Sequence, residues 1–328
     1  MNVSRNERRV AIIGAGISGI SCATRLHESH IEATIFDKSR GPGGRMSTRR
    51  KGESRFDHGA QYFTASNQDF LHQVMEWETA GLVAEWKGRF ADWREGSLVE
   101  RHPKRKRWVG APRMSALCRG LSQELHVQYG VRILRLKPHK QQWMLIDEND
   151  KSYGPFDSIL VSCPGPQAAA LLPVESNTHQ LARALTYSPC WAVMADLESP
   201  INTAFDGIHF QDHPLGWAAK DSSKPQRTSG ERWVLHGSAE WSQQNVDATP
   251  EDIIHQLTKA FGQIGTIQPH RCTAHRWLYA LASRSDGIPA MYDPKRQLGL
   301  FGDALAEPKV EGAWKSGQEM ANIILGAT

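Results

Sequence analysis

The sequence predicts an α/β fold in two parts, and three of its features lead to this prediction. Near the start, "VAIIGAGISGISC" places three glycines between an apolar strand and a helix. Between about Tyr187 and Tyr279, short segments that carry tryptophans have the pattern of an antiparallel sheet. Near the end, "QLGLFGDALAEPKVEGAWKSGQEMANIIL" returns to strand, loop and helix. We therefore expect one doubly wound domain and a second, smaller α+β domain built on an antiparallel sheet.

The first elements follow from hydrophobic periodicity. Val10 to Ile13 is a short apolar run and predicts a buried strand. The helix after the glycines places Ile17, Ile20 and Leu26 on one face, and a second strand is predicted from Ala33 to Phe36. These three elements form the start of a parallel sheet.

The middle of the chain predicts further helices and strands. A helical segment is expected between Gln68 and Trp86, and another over "APRMSALCRGLSQEL" with Pro112 in its first turn. Residues 127–166 have the pattern of a strand, a hairpin and a buried strand. The later segments "CWAVMADL", "GWAAK", "RWVLHGS" and "AHRWLYALA" predict the strands of the second sheet.

Composition excludes several classes of protein. A net charge of +4 over 328 residues does not indicate a nucleic-acid-binding protein. No stretch has the ~20 apolar residues of a membrane span. The five cysteines are scattered and predict free thiols in a reducing, cytoplasmic compartment. "RNERRVAIIGAGISGISC" has some features of a signal peptide, but the spacing of its glycines favours a strand followed by a helix.

Gly14, Gly16 and Gly19 form a G-x-G-x-x-G motif, which is typical of dinucleotide binding. The first glycine forms the turn, the second admits the pyrophosphate, and the third allows the helix to pack on the strand. Phosphates then meet the N–H groups at the helix N-terminus. Asp37 follows the second strand, where an acid that binds ribose is expected.

Three further segments carry a resemblance to flavoproteins of the amine-oxidase and glutathione-reductase superfamily. "SRGPGGRMS" has the glycine doublet and arginine of that superfamily, and "FDHGAQYF" resembles its segment beside the isoalloxazine ring. Gly302-Asp303 and Glu311-Gly312-Ala313 are similar to its closing motif. The resemblance implies non-covalently bound FAD rather than NAD.

The residues that the motifs and this resemblance predict to bind FAD lie in eight groups along the chain. They are Gly14, Ala15, Gly16, Ile17, Ser18, Gly19, Asp37, Lys38, Gly43, Gly44, Arg45, Met46, Gly59, Ala60, Gln61, Tyr62, Val131, Pro164, Gly302, Asp303, Gly312 and Ala313. The backbone of Val131 is expected to meet the adenine, and the "SILVSCPGPQA" segment to lie between these groups.

The predicted domains are discontinuous. Residues 1–65, 110–170 and 290–328 are expected to form a Rossmann-like FAD-binding domain, and residues 66–109 and 171–289 a substrate domain. Nothing in the sequence indicates the oligomeric state.

Within the superfamily, the chain resembles the renalases in "GPGGRMSTRR", "FDHGAQYFT" and "HRWLYA". That resemblance implies an oxidase of isomeric dihydronicotinamide dinucleotides that yields NAD(P)⁺ and hydrogen peroxide from dioxygen. Hydride would pass to flavin N5, so no side chain is predicted to be catalytic. A small dinucleotide is then the expected partner, with neither nucleic acid nor membrane.

Lys309 stands where many amine oxidases have an aromatic residue of the amine cage. A cation there would repel a protonated amine and attract a pyrophosphate, although a lysine on a solvated turn is equally compatible with the pattern. Tyr62, Trp277 and Tyr279 are candidate walls for a flat ring, and Arg276 is a candidate phosphate ligand.

Alternative functions remain open from the sequence. An amine or other carbon–nitrogen oxidase is the main alternative, and a non-catalytic nucleotide sensor is the second. "HRCTAHR" invites a metal site, but no partner motif with ligand spacing accompanies it, so no metal is expected. "RHPKRKRW" (101–108) is interpreted as a solvated loop, with contact to substrate phosphates as the alternative.

Overall fold

The computed structural model describes residues 8–283 and 287–326. Within them, the helices are α1 (Ile17–Glu28), α2 (Gln68–Thr79), α3 (Met114–Leu121), α4 (Gly165–Ala169), α5 (Asn177–Ala184), α6 (Ala239–Gln244), α7 (Pro250–Phe261) and α8 (Val310–Gly326). The strands of the first half of the chain are β1 (Arg9–Ile13), β2 (Glu32–Asp37), β3 (Thr48–Lys51), β4 (Ser54–Asp57), β5 (Val83–Glu85), β6 (Phe90–Arg94), β7 (Ser97–Arg101), β8 (Trp108–Gly110), β9 (His126–Tyr129), β10 (Ile133–His139), β11 (Gln142–Asp147), β12 (Ser152–Phe156) and β13 (Ser158–Val161). The later strands are β14 (Tyr187–Leu197), β15 (Gly207–Phe210), β16 (Leu215–Lys220), β17 (Glu231–Gly237), β18 (Pro269–Ala282), β19 (Ala290–Asp293) and β20 (Leu298–Phe301).

The chain divides into two compact units. The first unit comprises the described residues of Met1–Gly44, Cys118–Thr186 and Ala282–Thr328, and the second unit comprises Arg45–Leu117 and Tyr187–Leu281. The two are of about equal length, so the second is not smaller as expected.

The boundaries also differ from the predicted domains. Residues 45–65 and 110–117 belong to the second unit, whereas 171–186 belong to the first. The physical reason at 45–65 is packing, because Phe56 of β4 lies in one buried cluster with Met194 and Val234. Ser54 also donates a hydrogen bond of 2.6 Å to the carboxylate of Asp196.

The first unit contains the predicted parallel sheet. Its strand order is β19-β20-β13-β1-β2-β9, and all neighbouring pairs are parallel except β19 with β20. Ile17, Ile20 and Leu26 of α1 are buried, as the helical periodicity predicts. This confirms an α/β fold with a Rossmann-like domain. A separate antiparallel sheet is formed by β10, β11 and β12.

The second unit is built on a seven-stranded sheet with the order β18-β14-β17-β16-β15-β6-β7. The sheet is mixed rather than purely antiparallel, because β6 pairs in parallel with β15. The segment 66–109 thus adds two strands to a sheet whose other strands come from residues 187–282. Its core contains Trp233, Phe261 and Trp191, and α7 contributes Ile253 and Leu257.

Two predicted helices are shorter than expected. The first ends at Thr79, because Gly81 takes a φ of +72° and the chain then forms β5, which pairs with β8. The second begins at Met114, so that Pro112 precedes it rather than lying in its first turn. At the first place a strand pairing that links distant residues replaces the expected helical turns.

Candidate functional site

The first glycine-rich turn joins β1 to α1 with a geometry that only glycine tolerates. Gly14 has a φ of +115°, and a Cβ there would lie 2.7 Å from the hydroxyl oxygen of Ser162. A Cβ on Gly19 would lie 2.0 Å from the carbonyl oxygen of Gly14. A Cβ on Gly16 would instead meet nothing within 4 Å. Gly14 and Gly19 therefore shape the backbone, whereas Gly16 leaves space in front of it.

That space lies at the start of α1, whose N-cap residue Gly16 provides no side-chain cap. Uncapped N–H groups and the positive end of the helix favour a bound phosphate. The remaining predicted residues of this turn, Ile17 and Ser18, are buried in α1. The geometry fits the pyrophosphate of a dinucleotide.

Asp37 ends β2 and also fixes the turn. Its carboxylate accepts hydrogen bonds of 2.7 Å from the backbone N–H groups of Ala15 and Ser39, one on each oxygen. Its carbonyl oxygen accepts the N–H of Val131 at 3.0 Å. Each carboxylate oxygen has a second lone pair for a ribose hydroxyl. Asp37 therefore has a structural role that the sequence did not indicate, beside the predicted one.

The second glycine-rich loop lies against the first. The N–H of Gly43 donates to the carbonyl oxygen of Ala15 at 2.8 Å, and a Cβ on Gly44 would lie 3.6 Å from the Cα of Gly16. Gly43 and Gly44 both have positive φ, +121° and +52°. Lys38, just after β2, donates to Gln167 at 3.2 Å. The two glycine-rich loops therefore pack against each other at Ala15 and Gly16.

Other predicted FAD residues follow the parallel strands of the same sheet. Pro164 follows β13 and caps α4, and Gly302 follows β20 with a φ of +147°. The N–H of Gly302 donates to the hydroxyl of Ser316 at 2.7 Å, and the adjacent Asp303 is buried. Because β1, β2, β13 and β20 are parallel, their carboxyl ends meet at one edge, where dinucleotides bind in such folds.

The predicted closing motif lies at the start of α8. Gly312 is required there, since a Cβ would lie 2.2 Å from the carbonyl oxygen of Glu307. The carbonyl oxygen of Ala313 accepts the hydroxyl of Ser18 at 2.7 Å. A Cβ on Gly317 would meet the carbonyl oxygen of Ser18 at 2.3 Å. α8 therefore packs closely on α1, directly behind the glycine-rich turn.

In the second unit, Arg45 and the segment 56–63 hold each other. The N–H of Ala60 donates to the carbonyl oxygen of Arg45 at 2.8 Å, and a Cβ on Gly59 would lie 1.9 Å from the same oxygen. The guanidinium of Arg45 donates to the carbonyl oxygen of Ala280 at 3.2 Å, and Met46 is buried. The predicted residues Arg45, Met46, Gly59 and Ala60 thus form one tightly packed strip.

A buried charge network fixes the beginning of this segment. The carboxylate of Asp57 accepts from Arg227 at 2.6 Å and lies 3.5 Å from the ammonium of Lys224. Lys224 also donates to Asp221 at 2.8 Å and to the side-chain carbonyl of Gln61 at 3.0 Å. Burial opposes the charge of Asp57, but Lys224 and Arg227 outweigh it and lower its pKa to about 2.

Sequence reasoning missed this network. Lys224, Arg227 and Asp221 lie in a polar loop whose composition has no recognisable motif, and Asp57 is more than a hundred residues away. Only the folded unit brings these residues together. Gln61 was predicted, and its side-chain nitrogen donates to the backbone carbonyls of Asp57 and Gly59.

Three histidines surround Trp277 beside the same segment. The ring of His58 lies 4.9 Å from the rings of both Trp277 and His275, and the indole N–H donates to the carbonyl oxygen of His58 at 3.0 Å. The ring of His236 lies 3.2 Å from that same oxygen. Burial lowers the pKa of His58 to about 3, and those of His236 and His275 to about 4. All three imidazoles are therefore neutral at pH 7.

The candidate substrate residues belong to separate side-chain groups. Trp277 packs in the histidine cluster, whereas the ring of Tyr279 lies 5.7 Å from that of Tyr187. The ring of Tyr62 lies 5.6 Å from Trp217 and 6.3 Å from Trp86. Trp277 and Tyr279 do lie on the same face of β18, as alternation along a strand requires.

The binding of a phosphate by Arg276 stays a prediction, but the structure gives this side chain other partners. Arg276 is exposed between Trp277 and its neighbour His275, and so points to the opposite face of β18. Its guanidinium donates to the carbonyl oxygen of Val246 and lies 3.5 Å from Asp247. Those local partners already engage its charge.

The charge of Lys309 does not act alone either. Its ammonium pairs with Glu307 and lies 3.4 Å from Glu311. Burial favours the neutral amine, but the two carboxylates outweigh burial and raise the pKa of Lys309. Lys309 is therefore charged, and the carboxylates beside it offset its charge. The repulsion of a protonated amine at this position stays a prediction.

Two kinds of feature are absent from the described residues. Among the described residues, no three histidine, cysteine or acidic side chains are grouped as ligands for a metal ion. In the same part of the chain, no helix is both long enough and apolar enough to cross a membrane.

Comparisons with known proteins agree with the fold. Residues 12–76 match the NAD(P)-binding Rossmann-like domain, and residues 97–325 match the flavin containing amine oxidoreductases. The structure is similar to that of a putative protoporphyrinogen oxidase from Exiguobacterium, with a TM-score of 0.79, 12% identity and coverage of 98% of this chain and 99% of that one. It is also similar to a triple mutant of putrescine oxidase, with a TM-score of 0.74, 14% identity and coverage of 98% and 99%.

Curated relatives are matched over short regions. A tRNA 5-methylaminomethyl-2-thiouridine biosynthesis bifunctional protein of Magnetococcus marinus is 26% identical over 206 residues, 50% of this chain and 30% of that protein. A 4,4'-diapophytoene desaturase of Staphylococcus aureus is 41% identical over 51 residues, 16% of this chain and 10% of that protein. The chain thus spans less than a third of the length of either relative.

The family match extends over more than half of the chain and includes β20 and α8, which carry the predicted closing motif. The glycine-rich turn and the open space at Gly16 fit the pyrophosphate of a flavin dinucleotide. The chain belongs to the family of flavin-containing amine oxidoreductases, with FAD as its cofactor.

Proposed function

We propose that this protein oxidises isomeric dihydronicotinamide dinucleotides, as renalases do, and returns NAD(P)⁺ and hydrogen peroxide. Membership of the flavin-containing family supports flavin-dependent oxidation in general. The choice of substrate rests on the second unit and on the resemblance that sets the segment 56–63 beside the isoalloxazine ring.

The supporting observation is that titratable groups packed on this segment are poor proton acceptors. His58, His236 and His275 have pKa values of about 3, 4 and 4 because they are buried. Asp57 is ionised but engaged by Arg227 and Lys224. A base with a pKa of 3 to 4 holds a proton poorly at pH 7, so this surface suits a reaction that needs no proton abstraction.

Oxidation of a dihydronicotinamide meets that condition. One carbon–hydrogen bond breaks, the hydride leaves with both electrons, and the ring becomes an aromatic pyridinium. When bound, FAD supplies the hydride acceptor at N5 and passes the two electrons to dioxygen, which takes up protons from solvent to give hydrogen peroxide. The residues of the chain have only to orient the ring and exclude water. The flat surface of Trp277 and the neutral imidazoles beside it are suited to this.

Amine oxidation is the second candidate, and one observation favours it. The ammonium of Lys309 pairs with Glu307 and lies 3.4 Å from Glu311, so its charge is offset and gives little reason to exclude a protonated amine. Such a substrate must lose a proton before hydride can leave, and the histidines described above offer no strong base for that step.

Anaerobic mixing of the holoprotein with each class of compound tests the proposal. We expect isomeric dihydronicotinamide dinucleotides to bleach the visible flavin band quickly, and simple mono- and diamines to bleach it slowly or not at all. Admission of oxygen should restore the band and yield about one hydrogen peroxide per substrate oxidised, as two-electron transfer requires. Fast bleaching by an amine, with none by any dihydronicotinamide isomer, would establish the second candidate instead.

A further inference from the structure

We infer that a pocket within the second unit, lined by Tyr62, Thr64 and the loop 101–107, binds a phosphate group with Arg107 as its buried anchor. The pocket has a volume of about 500 Å³. That it receives the pyrophosphate of the substrate rests on the proposed function, whereas its affinity for phosphate rests on the side chains alone. We call it the Arg107 pocket.

Arg107 is the unusual residue in this pocket. It is only 5% exposed, and its guanidinium lies over the ring of Phe90 at 3.6 Å and over that of Tyr62 at 4.4 Å. One terminal nitrogen, Nη1, is buried and has no hydrogen-bond partner among the described residues. The aromatic rings cover the faces of the guanidinium, but its N–H groups point outward in its plane.

A buried N–H group of a cation without a hydrogen-bond partner is costly, and burial lowers the pKa of Arg107. Asp92, a carboxylate that acts against this shift, is itself engaged by Arg94 and Arg101, each at 3.1 Å. An anion that lies in the plane of the guanidinium would meet the unpaired N–H group at Nη1 and offset this cost. The planar fork of arginine matches a phosphate in that way.

Three further cations line the Arg107 pocket. They are Arg101, Lys104 and Arg105, and none of the described residues that line the pocket is acidic. Lys104 and Arg105 form no ion pair within residues 8–283 and 287–326, whereas Lys106 lies 3.3 Å from Glu85. The loop therefore contributes two cations without a described ion pair, while Arg101 is paired with Asp92. This favours the contact with substrate phosphates over the solvated-loop interpretation of residues 101–108.

Backbone pairing places Arg107 beside the segment 56–63. Phe63 and Trp108 form a backbone bridge with two hydrogen bonds of 2.8 Å. Tyr62 and Arg107 directly precede these two bridged residues, so the bridge fixes the backbone beside both. The N–H of Trp86 donates to the carbonyl oxygen of Arg107 at 2.7 Å and holds the loop in place. A dinucleotide whose ring stacks near this segment can therefore extend its pyrophosphate into the Arg107 pocket.

The test measures pyrophosphate binding to the FAD-loaded protein, in which the cofactor's own phosphate site is filled. Calorimetric titration should show binding that competes with NAD⁺ and weakens with added salt. Arg107→Met keeps an apolar stem but removes the charge, and we expect a loss of affinity of about tenfold to a hundredfold. Lys104→Gln combined with Arg105→Gln should cost roughly twofold to fivefold. Arg135→Gln, which removes an exposed charge in the first unit, is the matched control and should change nothing.

Each outcome decides the inference. Unchanged pyrophosphate affinity in Arg107→Met with full flavin content would overturn the phosphate site. Pyrophosphate binding that depends on Arg107 but does not compete with NAD⁺ would overturn only its role in binding the substrate. If Arg107→Met fails to fold, the double variant Lys104→Gln/Arg105→Gln takes its place. Unchanged pyrophosphate affinity in that variant, at full flavin content, would then overturn the phosphate site. Fast oxidation of dihydronicotinamides with an unchanged KM in these variants would refute substrate binding by the Arg107 pocket but leave the proposed function intact. Oxidation of amines, together with pyrophosphate binding that depends on Arg107, would refute the function but leave the phosphate site.

Discussion

The carboxyl edge of the first sheet and the Asp57 network of the second unit are built on opposite principles. At the edge, Gly14, Gly16 and Gly19 act through the backbone, and the residues that matter are a few positions apart in the chain. In the second unit, Asp57 and Lys224 act through their side chains and are far apart in sequence. Backbone-built sites can be recognised from local sequence, whereas sites built from distant side chains cannot. The predictions below test whether this contrast is real.

Lys224→Met should produce the largest effect, because it leaves Asp221 without its closest cation and Asp57 with Arg227 alone. Breaking a buried ion pair typically costs about 3–5 kcal/mol of unfolding free energy. Lys106→Met is the control, since Lys106 is 65% exposed and its pair with Glu85 is worth roughly 0–1 kcal/mol. Urea unfolding of both variants at pH 7 provides the comparison. Equal stabilities would mean that the network is not structural.

The histidine cluster should make stability depend on pH. The folded protein keeps His58 neutral down to a pKa of about 3, whereas the unfolded chain takes up a proton near 6.5. The contribution of each such histidine to the free energy of unfolding is therefore complete above pH 6.5. It falls as the pH decreases towards 4, by roughly 1.4 kcal/mol per pH unit. Unfolding at pH 7, 6 and 5 measures the slope.

Variants assign that slope to the cluster. His58→Asn should reduce the slope by about one histidine's share, whereas His126→Asn removes an exposed histidine of β9 and should leave the slope unchanged. A slope that is the same in wild type and His58→Asn would show that His58 titrates normally in the folded protein.

Two alanine substitutions in the glycine-rich turn distinguish glycines that the backbone requires from a glycine that leaves space for the cofactor. Gly19→Ala places a Cβ 2.0 Å from the carbonyl oxygen of Gly14, so we expect a loss of about 1–3 kcal/mol in the flavin-free protein. Gly16→Ala meets nothing within 4 Å and has a φ of −75°, so the flavin-free protein should be as stable as wild type. Gly16→Ala should nevertheless lose flavin, because its methyl group enters the space proposed for the pyrophosphate. Full flavin content in Gly16→Ala would place the pyrophosphate elsewhere.

Lys309→Ala should have the smallest effect. Lys309 is 38% exposed and pairs with Glu307 and Glu311, so its removal should change stability by less than about 1 kcal/mol. Since its charge is already compensated, the ratio of the rates with dihydronicotinamides and amines should also remain unchanged. A large shift of that ratio towards amines would show that Lys309 selects the substrate after all.

Sequence reasoning succeeded where a residue's role depends on its neighbours in the chain. The strand Val10–Ile13, the glycine-rich turn and the helix with Ile17, Ile20 and Leu26 were predicted, since they follow from periodicity and from glycine conformations. It did not foresee that Arg276 lies near Asp247 on the face of β18 opposite to Trp277, or that two glutamates lie beside Lys309. It also extended a helix to Trp86, where pairing of β5 with β8 overrides local propensity.

The sequence by itself determined the α/β class, the glycine-rich turn and the membership of a flavin-containing family, because these are recorded in short patterns of backbone-constraining and apolar residues. The tertiary structure alone decided which charges are paired and which are not. Asp57, Lys224 and Arg227 form one buried network, while one N–H group of Arg107, beside aromatic rings, has no partner in the part of the chain that the structure describes. The physical reason is that the energy of a charge depends on its burial and its nearest partners, and both are set by residues that are distant in the chain.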